Sequence, residues 1–216
     1  MRRIALCLTV LYACAAGASA QAAAPHLRGS WSLGITVGVS SFSAGTEGED
    51  AEGQRIQFSP YRPTMWGVAA AYGCEGRRIG VAAQYGEAGL AARGAARDDG
   101  SGSGGLVVTE DAYHLTSFSL FASDRLLRLR GGPALRPALG VQLERWTGAG
   151  APSRTVLGGY GGLAVEVLLT NSVVGTLSGE LGFVPASPFR REDLPEGFDQ
   201  RSTWRRTLAF GVAWRF

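Results

Sequence analysis

The chain has no lysine, only two histidines and little charge of either sign, since charged residues make up 18% of its 216 positions. His26 and His114 lie far apart, and no histidine or cysteine cluster has the ligand spacing of a zinc site. The acidic runs at 47–52 and 98–105 lack the ligand spacing of a calcium loop, so we predict that they are solvated loops. We therefore expect no metal site and no cofactor.

Long apolar runs are also few, and one of them lies at the N-terminus. There, two arginines precede a short apolar segment, and small residues at 18–20 form a cleavage site. This pattern predicts a secretory signal peptide over residues 1–20 and export through the general secretory pathway, which leaves a mature domain at 21–216. Two alternatives stay open here: a retained N-terminal anchor, and a lipoprotein processed at Cys14.

Intramolecular disulfides are excluded in the mature chain, because cleavage removes two of the three cysteines and leaves Cys74 alone. We expect Cys74 to be a small apolar packing residue rather than a reactive thiol. Cleavage also removes two arginines, so the formal net charge falls from +3 to +1 (3 − 2). So small a net charge does not indicate a basic surface for nucleic acid, and nucleic acid is not an expected partner.

The mature chain is rich in alternation of large apolar residues with small ones, which predicts β-strands. In SWSLGITVGVSSF, for example, Trp31 and Leu33 share one face of a strand, while Ser32 and Gly34 share the other. The facing of residues 113–122 is ambiguous, because both faces carry large side chains. No stretch has the period of a long amphipathic helix. The predicted strands lie at 30–42, 65–74, 78–87, 112–123, 135–146, 155–169, 173–184 and 207–216.

Loop lengths alternate along the chain. Long or medium loops follow the odd-numbered predicted strands, and shorter connections follow the even-numbered ones. Antiparallel neighbours joined in this way gather the long loops at one end of the sheet and the short turns at the other. The sequence therefore predicts an up-and-down arrangement of about eight strands.

The strand faces opposite the large apolar residues consist mostly of Gly, Ala, Ser and Thr, with a few charges. Such a face would be a poor solvated exterior, but it fits the crowded interior of a small barrel. The large apolar faces fit lipid, with aromatic residues near the strand ends as interfacial girdles. We predict an all-β fold, a closed antiparallel up-and-down transmembrane β-barrel. A soluble barrel or sandwich, and a transmembrane helix over residues 156–177, are the alternatives.

The last ten residues, TLAFGVAWRF, alternate in the same way and end on phenylalanine. An exported chain of such strands with this ending resembles the small bacterial outer-membrane β-barrel family. In that family the barrel-assembly machinery recognises the last strand, so the resemblance implies a location in the bacterial outer membrane. It also implies that machinery, outer-membrane lipid and lipopolysaccharide as partners. The residues that match the assembly signal are Leu208, Phe210, Val212, Trp214 and Phe216.

Charged residues of the later strands are expected to point into the lumen. One interpretation is a polar track, and hence a narrow pore for small solutes. The interpretation we favour is an interior salt-bridge network that fixes the barrel, since buried charges need partners. The predicted members of this lumen network are Glu144, Glu166, Glu180, Arg136 and Arg215.

One pair of residues suggests a hydrolytic active site. His114 and Thr116 share a face of the fourth predicted strand, and this spacing is similar to the His–Ser pair of outer-membrane lipid A deacylases. Threonine would replace serine as the nucleophile, and Glu110 or Asp111 would orient the histidine. The resulting hypothesis is a lipid A-modifying hydrolase.

Aromatic and charged residues of the predicted long loops are expected to be displayed outside the cell, where they would meet an extracellular ligand. Examples are Tyr61, Arg62, residues 189–193 and Phe198. We therefore expect a non-enzymatic outer-membrane barrel with a structural or surface-interaction role. A narrow pore is the second hypothesis and a lipid A-modifying hydrolase is the third.

Overall fold

A computed structural model describes residues 29–43, 46–49, 55–74, 76–94, 106–128, 132–148, 152–194 and 196–216, and the predicted signal peptide lies outside them. The described chain is almost entirely β-structure. Its elements in chain order are β1 (Ser30–Phe42), β2 (Thr46–Glu49), β3 (Arg55–Gly73), β4 (Arg77–Gly94), β5 (Leu106–Asp124), β6 (Leu127–Arg128), β7 (Ala134–Gly148), β8 (Arg154–Leu168), β9 (Val173–Val184), a 3-10 turn (Arg191–Asp193), β10 (Asp199–Gln200) and β11 (Thr203–Arg215).

Eight of these strands close into a barrel in which all neighbours are antiparallel. Their order is β1-β3-β4-β5-β7-β8-β9-β11, and β11 returns to pair with β1. This closing pair joins Ser32 to Arg215 near one end and Phe42 to Arg205 near the other. The predicted eight-stranded up-and-down barrel is thus confirmed. A closed sheet has no unpaired edge, and lipid tolerates none.

The alternation along each strand places the large apolar side chains on the outside of the barrel. Trp66, Ile79 and Phe210 are each more than half exposed, and the residues between such positions point inward. An apolar exterior around the whole circumference is suited to lipid and not to water. The small inward-facing residues suit a lumen of eight strands, which side chains fill.

The apolar belt has the height of a membrane. On β11, the exposed Trp204 and Trp214 are ten residues apart (214 − 204). That separation corresponds to about 33 Å along a strand, and to about 25 Å along the axis of a barrel whose strands tilt by about 40°. At the same end as Trp214, the rings of Trp31 and Tyr72 contact each other, with centroids 5.1 Å apart. The exposed aromatic residues therefore mark two membrane interfaces.

The two ends of the barrel differ in the length of the connections that they carry. The short-turn end carries the connections at 74–76, 125–133 and 169–172, together with the start of β1 and the end of β11. The long-loop end carries the other connections. There β3, β4 and β5 continue to lengths of 18 or 19 residues, about twice what a membrane crossing needs. β2 and β10 pair beside these extensions.

The structure also decides two points that the sequence left open. Residues 156–177 form most of the β8–β9 hairpin, so the transmembrane-helix alternative is wrong. No helix among the described residues is long and apolar enough to cross a membrane. In β5, Leu115 and Ser117 point into the lumen, while Phe118 and Leu120 face outward. The facing was ambiguous because Leu115 belongs to an apolar cluster inside the barrel.

Candidate functional site

The lumen contains three groups of side chains at different heights, and the group nearest the long-loop end is apolar. It takes one almost fully buried residue from each of six successive wall strands. Phe42 of β1 packs edge-on against Trp146 of this group, with ring centroids 5.2 Å apart. We call this group the apolar plug. Its buried members are Met65, Ala88, Leu115, Trp146, Val156 and Val184.

Beside the plug, on the side toward the membrane centre, Glu144 is held by three donors. Its carboxylate lies 2.9 Å from Nη1 of Arg205 and accepts hydrogen bonds from Nε2 of Gln142 (3.1 Å) and Nε1 of Trp146 (3.2 Å). Nη2 of Arg205 donates to Oε1 of Gln142 at 2.7 Å. All four residues are 3% exposed or less. This ion pair is therefore out of water and depends on its hydrogen bonds.

At the short-turn end, a single carboxylate holds three arginines. Oε1 of Glu166 lies 2.9 Å from Nη1 of Arg78 and 3.3 Å from Nε of Arg136, and Oε2 lies 2.8 Å from Nη2 of Arg215. Nη1 of Arg136 also donates to the carbonyl of Gly76 in the adjacent turn, at 2.9 Å. The cluster connects β4, β7, β8 and β11 across the lumen.

Glu180 lies between these two networks. It pairs in register with Gly162 of β8 and Thr207 of β11, and the charge of Arg205 acts on it. In the described ion pairs, Arg136 and Arg215 contact Glu166 and not Glu144. The five predicted lumen residues thus lie at three levels of the barrel, because Glu166, Arg136 and Arg215 share one cluster while Glu144 and Glu180 lie apart from it.

Sequence reasoning missed three residues that complete the networks. Arg78 directly precedes the outward-facing Ile79, and Arg205 directly follows the outward-facing Trp204, so both occupy inward positions of their strands. Extending the alternation by a few residues at these strand ends would have identified both arginines. Gln142 lies on the inward face with Glu144, but a neutral side chain gave no signal of its own.

A second polar cluster lies on the outer surface near the long-loop end. The hydroxyl of Tyr85 donates to Oε1 of Glu87 (3.2 Å) and lies 3.1 Å from Nδ1 of His114. Nδ1 of His114 is 3.9 Å from Oε1 of Glu87, and Thr116 pairs in register with Tyr85. The side chains at 110–111, predicted to orient the histidine, lie outside the described part. No group of three or more metal-ligating side chains occurs among the described residues.

The described part of the connection between β9 and β11, residues 185–194 and 196–202, folds over the long-loop end, and we call it the cap. Phe189 and Phe198 are buried, so the prediction that they are displayed to solvent is wrong. Phe189 packs edge-on against Tyr113, with centroids 5.6 Å apart, and Phe198 packs against Phe58 at 5.3 Å. A guanidinium N–H of Arg154 donates to the carbonyl of Phe189. The aromatic residues hold the cap to the barrel rather than presenting it to a ligand.

The other loop residues predicted to be displayed lie in varied surroundings. Arg191 and Glu192 are exposed on the cap, whereas Tyr61 is half-buried on β3. The side chains of Arg62 and Asp193 lie outside the described part of the chain.

All five residues of the predicted assembly signal lie along one stripe of the barrel exterior. Leu208, Phe210, Trp214 and Phe216 are exposed, and Val212 between them is half-buried. The main chain of the last residue exchanges two hydrogen bonds with Trp31, at 2.9 and 3.0 Å. The strand that carries this stripe is therefore hydrogen-bonded to β1 as far as its last residue.

Cys74 lies half-buried in the turn after β3. Its Sγ accepts a hydrogen bond from the backbone N–H of Arg77 at 3.4 Å, and this contact lowers the pKa of the thiol below its usual value. Cys74 thus makes polar turn contacts, in place of the apolar packing expected of it.

A closed barrel of eight antiparallel strands, apolar outside and with paired charges inside, is the architecture of the small outer-membrane β-barrel proteins. Among solved structures, Neisserial surface protein A matches with a TM-score of 0.59 at 12% identity, over 88% of this chain and 99% of that chain. OprG from Pseudomonas aeruginosa matches at 0.48, with 11% identity over 88% and 97%. Ail, the attachment invasion locus protein of Yersinia pestis, in complex with the heparin analogue sucrose octasulfate, matches at 0.45, with 15% identity over 88% and 99%.

No protein-family profile matches the sequence, and no curated protein matches it either. At such low identity the structural match shows the fold alone. In fold, the chain is an outer-membrane β-barrel of eight strands.

Proposed function

We propose that the protein is a non-enzymatic, integral outer-membrane barrel that acts through the surface of its long-loop end. The observation that carries this proposal is the filled lumen, because the apolar plug and two ion-pair networks occupy the interior where a solute would pass. In outer-membrane barrels the longer loops face outside and the short turns face the periplasm. The extended strands β3 to β5 and the cap, with Arg191 and Glu192 exposed, would then meet the extracellular medium.

A narrow pore for small solutes is the alternative function. A solute would have to displace Leu115 and Trp146, which are 0% and 3% exposed. It would also have to pass the Glu144–Arg205 ion pair, which is closed by hydrogen bonds from Gln142 and Trp146. These contacts favour the closed barrel.

Conductance distinguishes these two functions. The chain, refolded and reconstituted into a planar bilayer, is expected to show no steady channels, while a porin measured in parallel serves as the positive control. A steady ohmic conductance from the unmodified chain would contradict the closed lumen and favour the pore.

A lipid A-modifying hydrolase is a further candidate, supported by the surroundings of His114. Its Nδ1 is 3.9 Å from the carboxylate of Glu87, where an orienting acid would lie, and Thr116 is on the same lipid-facing side. The cluster lies at the long-loop edge of the apolar belt, the depth at which outer-leaflet headgroups would meet it. Catalysis would require the Thr116 hydroxyl to reach Nε2 of His114 when a lipid is bound.

The mass of lipid A tests the hydrolase. Lipid A from cells that express the wild-type chain would lack one acyl group relative to cells that express Thr116→Val, which keeps the shape but removes the nucleophile. Equal masses in the two strains and in cells without the protein would exclude this activity.

A further inference from the structure

We propose that the outer wall of the barrel binds lipid A, the phosphorylated and multiply acylated lipid of the outer leaflet, where β1 pairs with β11. A phosphate of the lipid contacts Arg206, and the acyl chains lie in two adjoining depressions nearer the membrane centre. We call this region the seam groove. It is lined by Arg206, Leu208 and Phe210 of β11 and by Ser41, Val39 and Val37 of β1. The proposal rests on the orientation proposed for the barrel, with the long-loop end outside the cell.

The first argument is an arginine on the lipid-facing surface. Arg206 follows the outward-facing Trp204 by two residues, so it is exposed on the same face, and so is its register partner Ser41. The side chain of Arg206 makes no hydrogen bond or ion pair within the described part of the chain, whereas the exposed Arg145 donates to Oγ of Ser153 at 3.4 Å.

The depth of Arg206 points to a headgroup as its partner. It lies two residues nearer the membrane centre than Trp204, which is about 5 Å along the axis of the tilted barrel. A charge on the lipid face becomes more unfavourable with depth, and an anionic group at the interface offsets this cost. A guanidinium binds phosphate oxygens through pairs of parallel N–H donors, so its charge and geometry fit a lipid phosphate.

The second argument is the length of the groove. Arg206 and Val212, which are six residues apart (212 − 206), mark the two ends of the adjoining depressions along β11. This separation is about 20 Å along the strand and about 15 Å along the axis, or half of a hydrocarbon core of about 30 Å. A lipid with its phosphate at Arg206 therefore has its acyl chains against the groove to the membrane centre.

The third argument is the shape of the groove. The pair Val39–Leu208 lies beside Arg206 and borders a depression of about 460 Å³. The next pair, Val37–Phe210, borders a second depression of about 590 Å³, and the half-buried Val37 forms its floor. Both volumes fall in the range of ligand pockets, about 300–1,000 Å³.

The width of the second depression favours a lipid with many chains. Its lining comes from five adjacent strands, β11, β1, β3, β4 and β5, which together span about 19 Å. Phe210 lies on the first of these strands and Thr116 on the last. A surface this wide holds several acyl chains side by side, which fits lipid A better than a phospholipid with two chains.

Native mass spectrometry of the whole chain, refolded in a non-ionic detergent, tests the site as diphosphorylated, hexa-acylated lipid A is added. We expect saturable binding that weakens by about tenfold in Arg206→Gln, since charge-assisted hydrogen bonds to the phosphate are lost. Arg191→Gln changes an exposed arginine of the cap and is the matched control, which should bind as the wild type does. Equal binding by Arg206→Gln and the wild type would contradict the proposal.

Two further lipids identify the group that is bound. Lipid A without its phosphates should bind the wild type no more tightly than it binds Arg206→Gln. If it still binds the wild type as tightly as the phosphorylated form does, the phosphate contact is wrong. If phosphatidylglycerol binds as tightly as lipid A and also depends on Arg206, the assignment to lipid A is wrong.

The acyl-chain groove is tested by filling it. Val37→Trp places a large ring on the floor of the second depression and should weaken the binding of lipid A. Val165→Trp makes the same change on the exterior of β8, away from the groove, and should have no effect. Equal binding by the two variants would contradict the groove. Conductance does not depend on this site, so failure of lipid A binding would leave the proposed closed barrel standing.

Discussion

Single residues in the lumen of this barrel carry charge in a place from which water is excluded. Glu144 and Arg205 are 2% and 3% exposed. The charge of each is compensated by the other and by a hydrogen bond with Gln142. The two long side chains come from β7 and β11, on different sides of the lumen. Removing one partner of such a pair costs more than the pair itself contributes, because the remaining charge stays buried.

Glu144→Gln is therefore expected to lower the free energy of unfolding by about 3–5 kcal/mol, since Arg205 keeps an uncompensated charge. Urea unfolding of the chain in lipid vesicles, followed by tryptophan fluorescence, measures the change. Glu192→Gln, on the exposed surface of the cap, is the control and should stay within about 0.5 kcal/mol of the wild type. A loss for Glu144→Gln no larger than that of the control would argue against the network.

Glycines of the barrel wall leave room in the lumen for the large side chains of neighbouring strands. A Cβ on Gly140 would lie 2.5 Å from Cε1 of Tyr160 and 2.6 Å from the backbone oxygen of Leu120. Even alanine is too large at this position, because the backbone of β5 cannot move away cheaply.

Gly140→Ala should accordingly destabilise the barrel by about 1–3 kcal/mol, the usual cost of overpacking. The matched control is Gly179→Ala on β9, where an added Cβ has no atom within 4 Å. The temperature at which each variant loses its folded band on an SDS gel compares them. Equal temperatures for the two variants would show that the lumen around Tyr160 is not tightly packed.

At the scale of elements, one native thiol can show which end of the barrel faces the outside of the cell. Cys74 lies in the turn between β3 and β4, and its lowered thiol pKa increases the reactive thiolate fraction near neutral pH. A maleimide attached to a large polymer, which cannot cross the membrane, should leave Cys74 unlabelled on intact cells and label it after lysis.

The variant Cys74→Ser/Ser202→Cys moves the thiol to an exposed residue at the opposite end of the barrel. It should be labelled on intact cells. Labelling of native Cys74 on intact cells would mean that the barrel is inserted with its short turns outward.

The sequence predicted the strands and their facing because both follow from a local period of two. The exception is β5, whose facing was ambiguous because Leu115 and Phe121 are large yet face inward. Leu115 packs in the apolar plug, and Phe121 occupies the space that a Cβ on Gly80 would fill. Partners of the lumen charges could not be predicted from the same pattern. Which arginine reaches Glu166 depends on the stagger of strands across the lumen, and no local sequence pattern encodes this stagger.

The cap illustrates a second limit of local reasoning. Phe189 and Phe198 were predicted to be displayed, because aromatic residues within a long polar connection have no local sign of a partner. Their partners, Tyr113 and Phe58, lie on strands far away in the sequence. Burial that depends on such distant contacts appears only once the barrel has brought the strands together.

For the whole molecule, the decisive property is closure. A folded outer-membrane barrel resists SDS, so the unheated chain should migrate differently from the boiled chain, and in cells the shifting band should be found in the outer-membrane fraction. A chain truncated before β11, which lacks residues 203–216, should show no shift because β1 and β9 lose their shared neighbour. A shift retained by the truncated chain would contradict this closure.

The pairing of β1 with β11 also has a consequence for how the chain reaches its native state. Ser32 and Arg215 lie at opposite ends of the sequence, yet they are neighbours in the finished wall. The loop that this contact closes spans residues 32–215, so its entropic cost is among the largest that the chain can meet. Contacts of such high sequence separation slow folding, because the entropy of closing the loop is lost before the contact forms. The barrel can therefore close only when its last strand, β11, is available to pair with its first, β1.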